Sequence, residues 1–266
     1  MPIASTRLAT NPIAEGALWV PENLPLLAQL VARVSLGQSR HVAKILAGVG
    51  IPMKDVDETV RKSAIKRLTL AESDSDPYQR DGWIFQVISW IACLIEDSSA
   101  IVSAPHMELA QKGFDGLQIK LTTDGLAVER AVIFEDKATE DARATITNKV
   151  WPEFRAFERG ERDSSLVAQV VALLESKSTL DVDTAIAAVM WSKARAYRVF
   201  VTSPQVPGLN AAGEPSLFLG FDGIVGRADS RFAHTFVVSD MRAWMTSLAG
   251  LSINYIIDTD EGSADV

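Results

Sequence analysis

Two short segments with alternating polar and apolar residues constrain the fold most. Residues 115–121 and 127–134 each alternate with a period of two, which is typical of β-strands with one buried face. Between them lies the turn-forming run 123–125, with the sequence Thr-Asp-Gly. The pattern predicts a β-hairpin that folds near Gly125. An isolated hairpin is only marginally stable in water, so this one must belong to a larger sheet covered by other elements.

Helical patterns surround this hairpin. The run 83–95 is apolar on nearly all sides and predicts a buried helix, and residues 140–158 predict a second helix after the hairpin. The fold class is therefore predicted as α/β, with a mixed sheet flanked by helices. Further helices are expected over 25–36, 41–46, 55–70, 164–176, 182–195 and 240–249, and further strands over 101–102, 197–202, 216–225, 235–238 and 252–257.

The order of these elements predicts three regions. Residues 1–75 are expected to form a helical N-terminal region whose first 20 residues wrap the surface. The polar run 72–77 is the predicted boundary. Residues 76–258 hold the hairpin and the main domain. Residues 259–266 form an acidic tail that we expect to be flexible.

Composition excludes several classes of protein. The 266 residues are 47% hydrophobic, which is enough for a sizeable core, and no apolar run is long enough to predict a membrane span. A single cysteine, Cys93, excludes an internal disulfide, and the N-terminus lacks the pattern of a secretory signal. We therefore expect a soluble, cytoplasmic protein. The 26 basic and 34 acidic residues give a net charge of −8, which argues against broad coating of nucleic acid.

Three residues at the ends of the predicted hairpin could do chemistry. Glu135 and Lys137 are two residues apart on one strand, so both should point to the same face. Asp115 lies at the start of the preceding strand. A two-residue loop at Asp124-Gly125 would turn Asp115 away from Glu135, whereas a three-residue loop or a bulge would bring both acids to one face.

If the register brings them together, two carboxylates and one ammonium meet at a sheet edge. Carboxylates are the ligands that Mg²⁺ or Mn²⁺ prefers, and the main-chain carbonyl of Asp136 is a natural additional ligand. The metal would lower the pKa of a bound water and offset charge in the transition state of phosphodiester hydrolysis. Lys137 could orient the attacking water or help deprotonate it. The alternative is that Asp115, Glu135 and Lys137 are solvated hairpin ends.

The runs 113–116 (Gly-Phe-Asp-Gly) and 132–138 (Val-Ile-Phe-Glu-Asp-Lys-Ala) resemble the active-site signature of the PD-(D/E)xK nuclease superfamily. The resemblance covers roughly residues 80–205. It implies a restriction-endonuclease-like core and a metal-dependent DNA nuclease. Within that signature Asp115 corresponds to the metal-binding aspartate, Glu135 to the second acid and Lys137 to the lysine.

The chain departs from the family pattern at identifiable positions. No proline precedes Asp115, and the helix that often carries a further acid offers Gln86 inside and Glu96 at its end. Gln86 is therefore either a residue that lines the site or a hydrogen-bonded core group. The recombination-exonuclease motif Gln-x-x-x-Tyr is absent, which favours an endonuclease. The helix after the motif flanks the substrate groove in the family, so Thr147 and Lys149 are candidate DNA contacts.

The layout of a variable helical region before this core is similar to that of nucleases in bacterial anti-phage systems. The Hachiman-type nuclease subunit, which works with a helicase, is one such protein. The resemblance implies a role in phage defence or restriction, with DNA and a helicase or another defence subunit as partners and an oligomer as an open alternative. The competing hypothesis is a catalytically silent, nuclease-like module for nucleic-acid binding or assembly.

Overall fold

A seven-stranded mixed sheet organises the protein in the computed structural model. The structure describes residues 1–8, 13–53, 56–69, 77–107, 113–175, 181–190, 194–208 and 216–261. The strands are β1 (Ile3–Arg7), β2 (Glu15–Pro21), β3 (Ile101–Val102), β4 (Gly116–Leu121), β5 (Val128–Lys137), β6 (Arg195–Ser203) and β7 (Arg231–Val237). Their spatial order is β1-β2-β7-β6-β5-β4-β3.

The centre of the sheet is parallel and its two edges are antiparallel. Strands β2, β7, β6 and β5 run parallel to one another, whereas β1 pairs with β2, and β3 and β4 continue from β5, in antiparallel fashion. Strand β6 is buried along its whole length, as expected for a central parallel strand. The predicted α/β class with a mixed sheet is therefore confirmed.

Helices cover both faces of the sheet. Before the hairpin lie α1 (Leu24–Ser35), α2 (Ser39–Leu46), α3 (Glu58–Leu68) and α4 (Tyr78–Glu96). After it lie α5 (Ala142–Thr145), a π-helical turn (Ile146–Val150), α6 (Trp151–Glu158), α7 (Asp163–Leu174), α8 (Val182–Met190) and α9 (Met241–Glu261). Two 3₁₀ turns occur at Ser216–Phe218 and Ala228–Ser230.

Two large hydrophobic cores result, one on each face. Helices α1, α4 and α9 bury their apolar residues around Phe200 of β6, whose ring centroid lies 5.0 Å from that of Phe85. On the other face, α6, α7 and α8 pack on odd-numbered residues such as Tyr197. Alternate residues of the central strands thus pack into the two cores, and helices cover both faces of the sheet.

The N-terminal region differs from the prediction. Residues 3–7 and 15–21 form strands in the main sheet, with Trp19 fully buried in the core, so the expectation of an all-helical region over 1–75 is wrong for these residues. The pairing of β2 with β7 joins residues more than 200 positions apart, and no local pattern reports such a contact. Helices α1, α2 and α3 do occur where helices were predicted.

Two predicted strands near the C-terminus are also wrong. Residues 216–225 form a 3₁₀ turn and further turns, with Phe218, Phe221 and Val225 buried. Residues 252–257 continue α9, because its buried side chains recur at steps of three and four. These buried side chains are Met241, Met245, Leu248, Ala249, Ser252 and Ile256.

Some predictions fall on residues that are not described. Most of the predicted boundary run 72–77 lies outside the described residues. Of the tail that we expected to be flexible, residues 259–261 belong to α9 and positions 262–266 lie outside the described residues. Among the described helices, none combines the length and the apolar character that crossing a membrane requires.

Candidate active site

The candidate site lies at the carboxyl end of β5. This strand buries seven of its ten residues and ends with Glu135, Asp136 and Lys137. Its neighbour β6 runs parallel to it, with Glu135 opposite Val199 and Lys137 opposite Val201. Glu135 and Lys137 therefore point to the same face of the sheet, as the period of two predicted. The two side chains also form an ion pair.

The register of the hairpin brings Asp115 to the same end of the sheet. Gly116 pairs with Phe134, and the backbone N–H of Asp115 donates to the carbonyl of Phe134 at 3.2 Å. This register requires an irregularity, which occurs where Lys120 and Leu121 meet β5. The sequence argument required an odd loop or a bulge, and the structure contains a bulge.

The ammonium of Lys137 joins the two carboxylates. Its Nζ lies 2.6 Å from Oδ2 of Asp115 and 2.7 Å from Oε2 of Glu135. The side chains of Lys137 and Asp115 are 24% and 14% exposed, and that of Glu135 is 5% exposed. The three groups thus form a compact charged cluster that solvent reaches from the Lys137 side.

Two further donors fix the carboxylate of Asp115. The Gln86 side-chain amide of α4 donates to Oδ1 at 2.7 Å, and the backbone N–H of Asp136 donates to Oδ2 at 2.8 Å. Both oxygens of Asp115 therefore have donors besides Lys137. Gln86 therefore belongs to the site as a hydrogen-bond donor to Asp115. It lies on the helix that often carries a further acid in the nuclease family that the sequence resembles.

The side chain of Asp136 points to the opposite face of the sheet. There it lies 3.4 Å from the guanidinium of Arg198, which is 2% exposed and also bonds to Ser89 and Cys93 of α4. The guanidinium lies 3.6 Å from the centre of the Phe134 ring. Sequence reasoning missed Arg198. Two sequence features could have identified Arg198. It is a charged residue within the apolar run 197–202, and the apolar helix α4 carries polar residues, Ser89 and Cys93, that can bind it.

Burial and charge shift three pKa values in the site. Desolvation raises the pKa of Glu135 to about 8 and that of Asp136 to about 6, although Lys137 and Arg198 respectively oppose these rises. Desolvation acts to lower the pKa of Lys137, but the attraction of Glu135 and Asp115 exceeds it, and the pKa of Lys137 is raised. Lys137 therefore remains a cation at neutral pH.

The donor set of the site fits a hard divalent cation. In the described ranges, no three side chains of histidine, cysteine, aspartate or glutamate form a group that could hold a metal ion. Asp115 and Glu135 supply two carboxylates, and the main-chain carbonyl of Asp136 stays the additional ligand that the sequence predicts. Mg²⁺ is commonly bound by one or two carboxylates together with waters and phosphate oxygens, so two carboxylates suffice.

The other predicted substrate contacts lie on the surface beyond the site. Thr147 and Lys149 are exposed on the π-helical turn, and within the described ranges no hydrogen bond or ion pair links either of them to the charged cluster. Pro152 follows this turn and lacks an N–H, so the regular hydrogen-bond ladder is interrupted here. Glu153 of α6 was not predicted, yet its charge contributes to the raised pKa of Glu135.

Comparison with models of known protein families finds no match for this chain, and comparison with curated proteins finds no similar sequence. The geometry of the side chains is therefore the basis for a functional assignment.

Proposed function

We propose that this protein is a divalent-metal-dependent nuclease that hydrolyses phosphodiester bonds in DNA. The observation that carries the proposal is the convergence of Asp115, Glu135 and Lys137, with the Lys137 ammonium within 2.7 Å of both carboxylates. A buried cluster of this kind costs stability, because desolvation opposes the charge on Glu135, and such costly groups are concentrated at functional sites. The resemblance to the PD-(D/E)xK signature supports the same assignment.

Asp115 and Glu135 would hold the metal, Mg²⁺ or Mn²⁺, with the Asp136 carbonyl as an additional ligand. When bound, the metal supplies Lewis-acid activation of water and neutralises charge on the phosphoryl group. Gln86 and the Asp136 N–H hold the carboxylate of Asp115 in one orientation through bonds of 2.7 and 2.8 Å. This arrangement limits the reorganisation needed when a substrate binds.

Lys137 acts in this proposal as a fixed positive charge. Its bonds to two carboxylates keep it protonated, so it orients a water and stabilises negative charge on the phosphate rather than accepting a proton. Of the two roles that the sequence leaves open for Lys137, this proposal therefore assigns orientation of the attacking water and not its deprotonation.

The biological setting belongs to the same proposal. The net charge of −8 suits a nuclease that obtains part of its grip on DNA from a partner, such as a helicase or another subunit of an anti-phage system. Thr147 and Lys149 are exposed on the helical segment after the motif and are the proposed contacts of this chain to the DNA backbone. A second copy of the chain could serve as well as a different subunit.

The test is cleavage of closed circular plasmid DNA by the purified chain, with Mg²⁺, with Mn²⁺ and with a chelator. We expect metal-dependent linearisation, which a circular substrate restricts to endonucleases. Glu135→Ala and Lys137→Ala should each abolish it, while Lys62→Ala, which changes an exposed lysine paired with Glu58, should not. Full activity in either active-site variant would refute the assignment.

An inactive wild-type chain would be tested for metal binding by calorimetry. Failure to bind Mg²⁺ or Mn²⁺, with and without DNA, would favour the silent nucleic-acid-binding or assembly module. A parallel RNA substrate identifies the preferred nucleic acid, and preferential RNA cleavage would correct the substrate while leaving the catalytic cluster in place.

A further inference from the structure

A cavity of about 540 Å³ opens on the face of the sheet that α4 covers. Its walls come from β1, β2, β4, β5, β6, β7 and the end of α4. On β5 it touches Arg130 and Val132, which lie on the face opposite Glu135 and Lys137. At about 3.3 Å per strand residue, Arg130 and Lys137 are roughly 23 Å apart along β5. The sheet therefore separates the cavity from the side chains of Asp115, Glu135 and Lys137, whereas Arg198, which contacts Asp136, lines the cavity.

Charged groups of both signs line this cavity. Arg7, Lys120 and Arg130 provide cations, and the guanidinium carbon of Arg130 lies over the Phe232 ring, 5.3 Å from its centre. Carboxylates come from Glu15 of β2 and from Glu96 and Asp97 at the end of α4. A purely apolar ligand is therefore a poor fit, whereas a ligand with an anionic group and several hydrogen-bond donors is complementary.

Two buried polar atoms lack partners beside the cavity. Arg198 and His234 both line it and are 2% and 5% exposed. The Nε atom of Arg198 and the Nδ1 atom of His234 find no hydrogen-bond partner among the residues that the structure describes. Buried polar groups are normally satisfied, so these two atoms mark hydrogen-bonding capacity in the cavity wall that the described residues leave unused.

We propose that this cavity binds a nucleotide. The phosphate would bind to Arg7, whose guanidinium group suits phosphate oxygens. The Arg130–Phe232 surface offers a plane for a nucleobase, and Gln118 with Glu96 offers acceptors for its amino groups and for ribose hydroxyls. The volume lies in the range of small-molecule pockets. The proposal does not depend on nuclease activity, because no residue of the catalytic cluster lines the cavity.

Isothermal titration calorimetry on the full chain tests this proposal, with a chelator present to keep metal from the catalytic cluster. The probes are the four ribonucleoside 5′-monophosphates, inorganic phosphate, and a short 5′-phosphorylated oligonucleotide. We expect at least one mononucleotide to bind with a Kd below about 1 mM. Arg7→Ala and Arg130→Ala should each weaken binding by about tenfold or more, because the first removes a charge-assisted bond to the phosphate and the second removes part of the plane for the nucleobase.

Two matched variants locate the binding. Arg159→Ala changes an exposed arginine beyond α6, on the other face of the sheet, and should leave the Kd unchanged. Lys137→Ala should also leave it unchanged, since Lys137 belongs to the catalytic cluster. Circular dichroism melting checks that Arg7→Ala, which changes an exposed side chain, and Arg130→Ala remain folded.

Four results would overturn the inference. These are no binding by any mononucleotide, phosphate binding as tight as that of the nucleotides, a Kd unaffected by both cavity variants, or binding lost in Lys137→Ala. Binding of the oligonucleotide without any mononucleotide would show a strand end as the ligand and would likewise overturn the proposal for a free nucleotide.

Discussion

Replacing Glu135 by glutamine should stabilise the metal-free protein at neutral to alkaline pH. Desolvation raises the pKa of Glu135 from 4.5 to about 8, even with Lys137 beside it. The folded state therefore binds a proton more tightly than the unfolded state. The contribution to stability is fully present below pH 4.5 and is lost as the pH rises through about 8. Glutamine matches the shape of the neutral acid and cannot lose that proton.

The size of the effect follows from the shift. One pKa unit corresponds to about 1.4 kcal/mol, so the full shift sets an upper limit of about 5 kcal/mol. Relaxation and water entry reduce this limit, and we expect Glu135→Gln to be more stable than the wild type by about 1–3 kcal/mol near pH 8. Near pH 4 the two proteins should be equally stable, because Glu135 is neutral in the fold there.

Urea denaturation with a chelator, followed by circular dichroism from about pH 4 to pH 9, measures the difference. Glu129→Gln on the same strand is the control, since its side chain is 43% exposed and pairs with Lys120 at the surface. It should change stability by less than about 0.5 kcal/mol. A Glu135→Gln variant that is less stable than the wild type near pH 8 would refute the reasoning.

Three further perturbations have defined outcomes. His234→Gln should reduce the loss of stability between about pH 7 and pH 5, measured by thermal melting. Burial, and then the charges of Arg198 and Arg7, lower the pKa of His234 in the folded protein. As the pH falls through 6.5, therefore, only the unfolded state gains a proton at this residue, and the wild type loses stability. Gly116→Ala should destabilise by about 1–3 kcal/mol in urea, since a Cβ would lie 2.8 Å from the Phe134 ring. Gln86→Leu should raise the Mg²⁺ concentration for half-maximal plasmid cleavage at least severalfold, because the carboxylate beside it loses a donor; an unchanged requirement would contradict this role.

Local sequence patterns predicted the hairpin that holds the candidate site. Alternation identified both strands, and the spacing of Glu135 and Lys137 placed them on one face, as the structure shows. The position of Asp115 was left open, because one extra residue in either strand reverses the face. The bulge near Lys120 decides this register, and its position depends on how the sheet closes around the turn.

Contacts between distant parts of the chain were beyond such patterns. Strands β1 and β2 are short, and β2 gains its place only by pairing with β7 near the other end of the chain. The burial of Trp19 depends on this pairing. Within α9, by contrast, the helical spacing of buried residues was present in the sequence, and the β-branched residue Ile253 with its apolar neighbours was misread as a strand.

The alternation of side chains along β5 explains why α4, an otherwise apolar helix, has polar residues along one side. Glu135 and Lys137 face one layer, so Asp136 must face the other, where a lone buried carboxylate would be costly. Arg198 from β6 compensates it and is itself held by α4.

That stripe of α4 consists of Gln86, Ser89 and Cys93, at steps of three and four residues. Its first member binds Asp115, and the other two bind Arg198. One helix therefore holds Asp115 directly and, through Arg198, contacts the side chain of Asp136, the residue between Glu135 and Lys137. The apolar remainder of α4 anchors this stripe in the core, so the charged cluster is held by packing as well as by its own ion pairs.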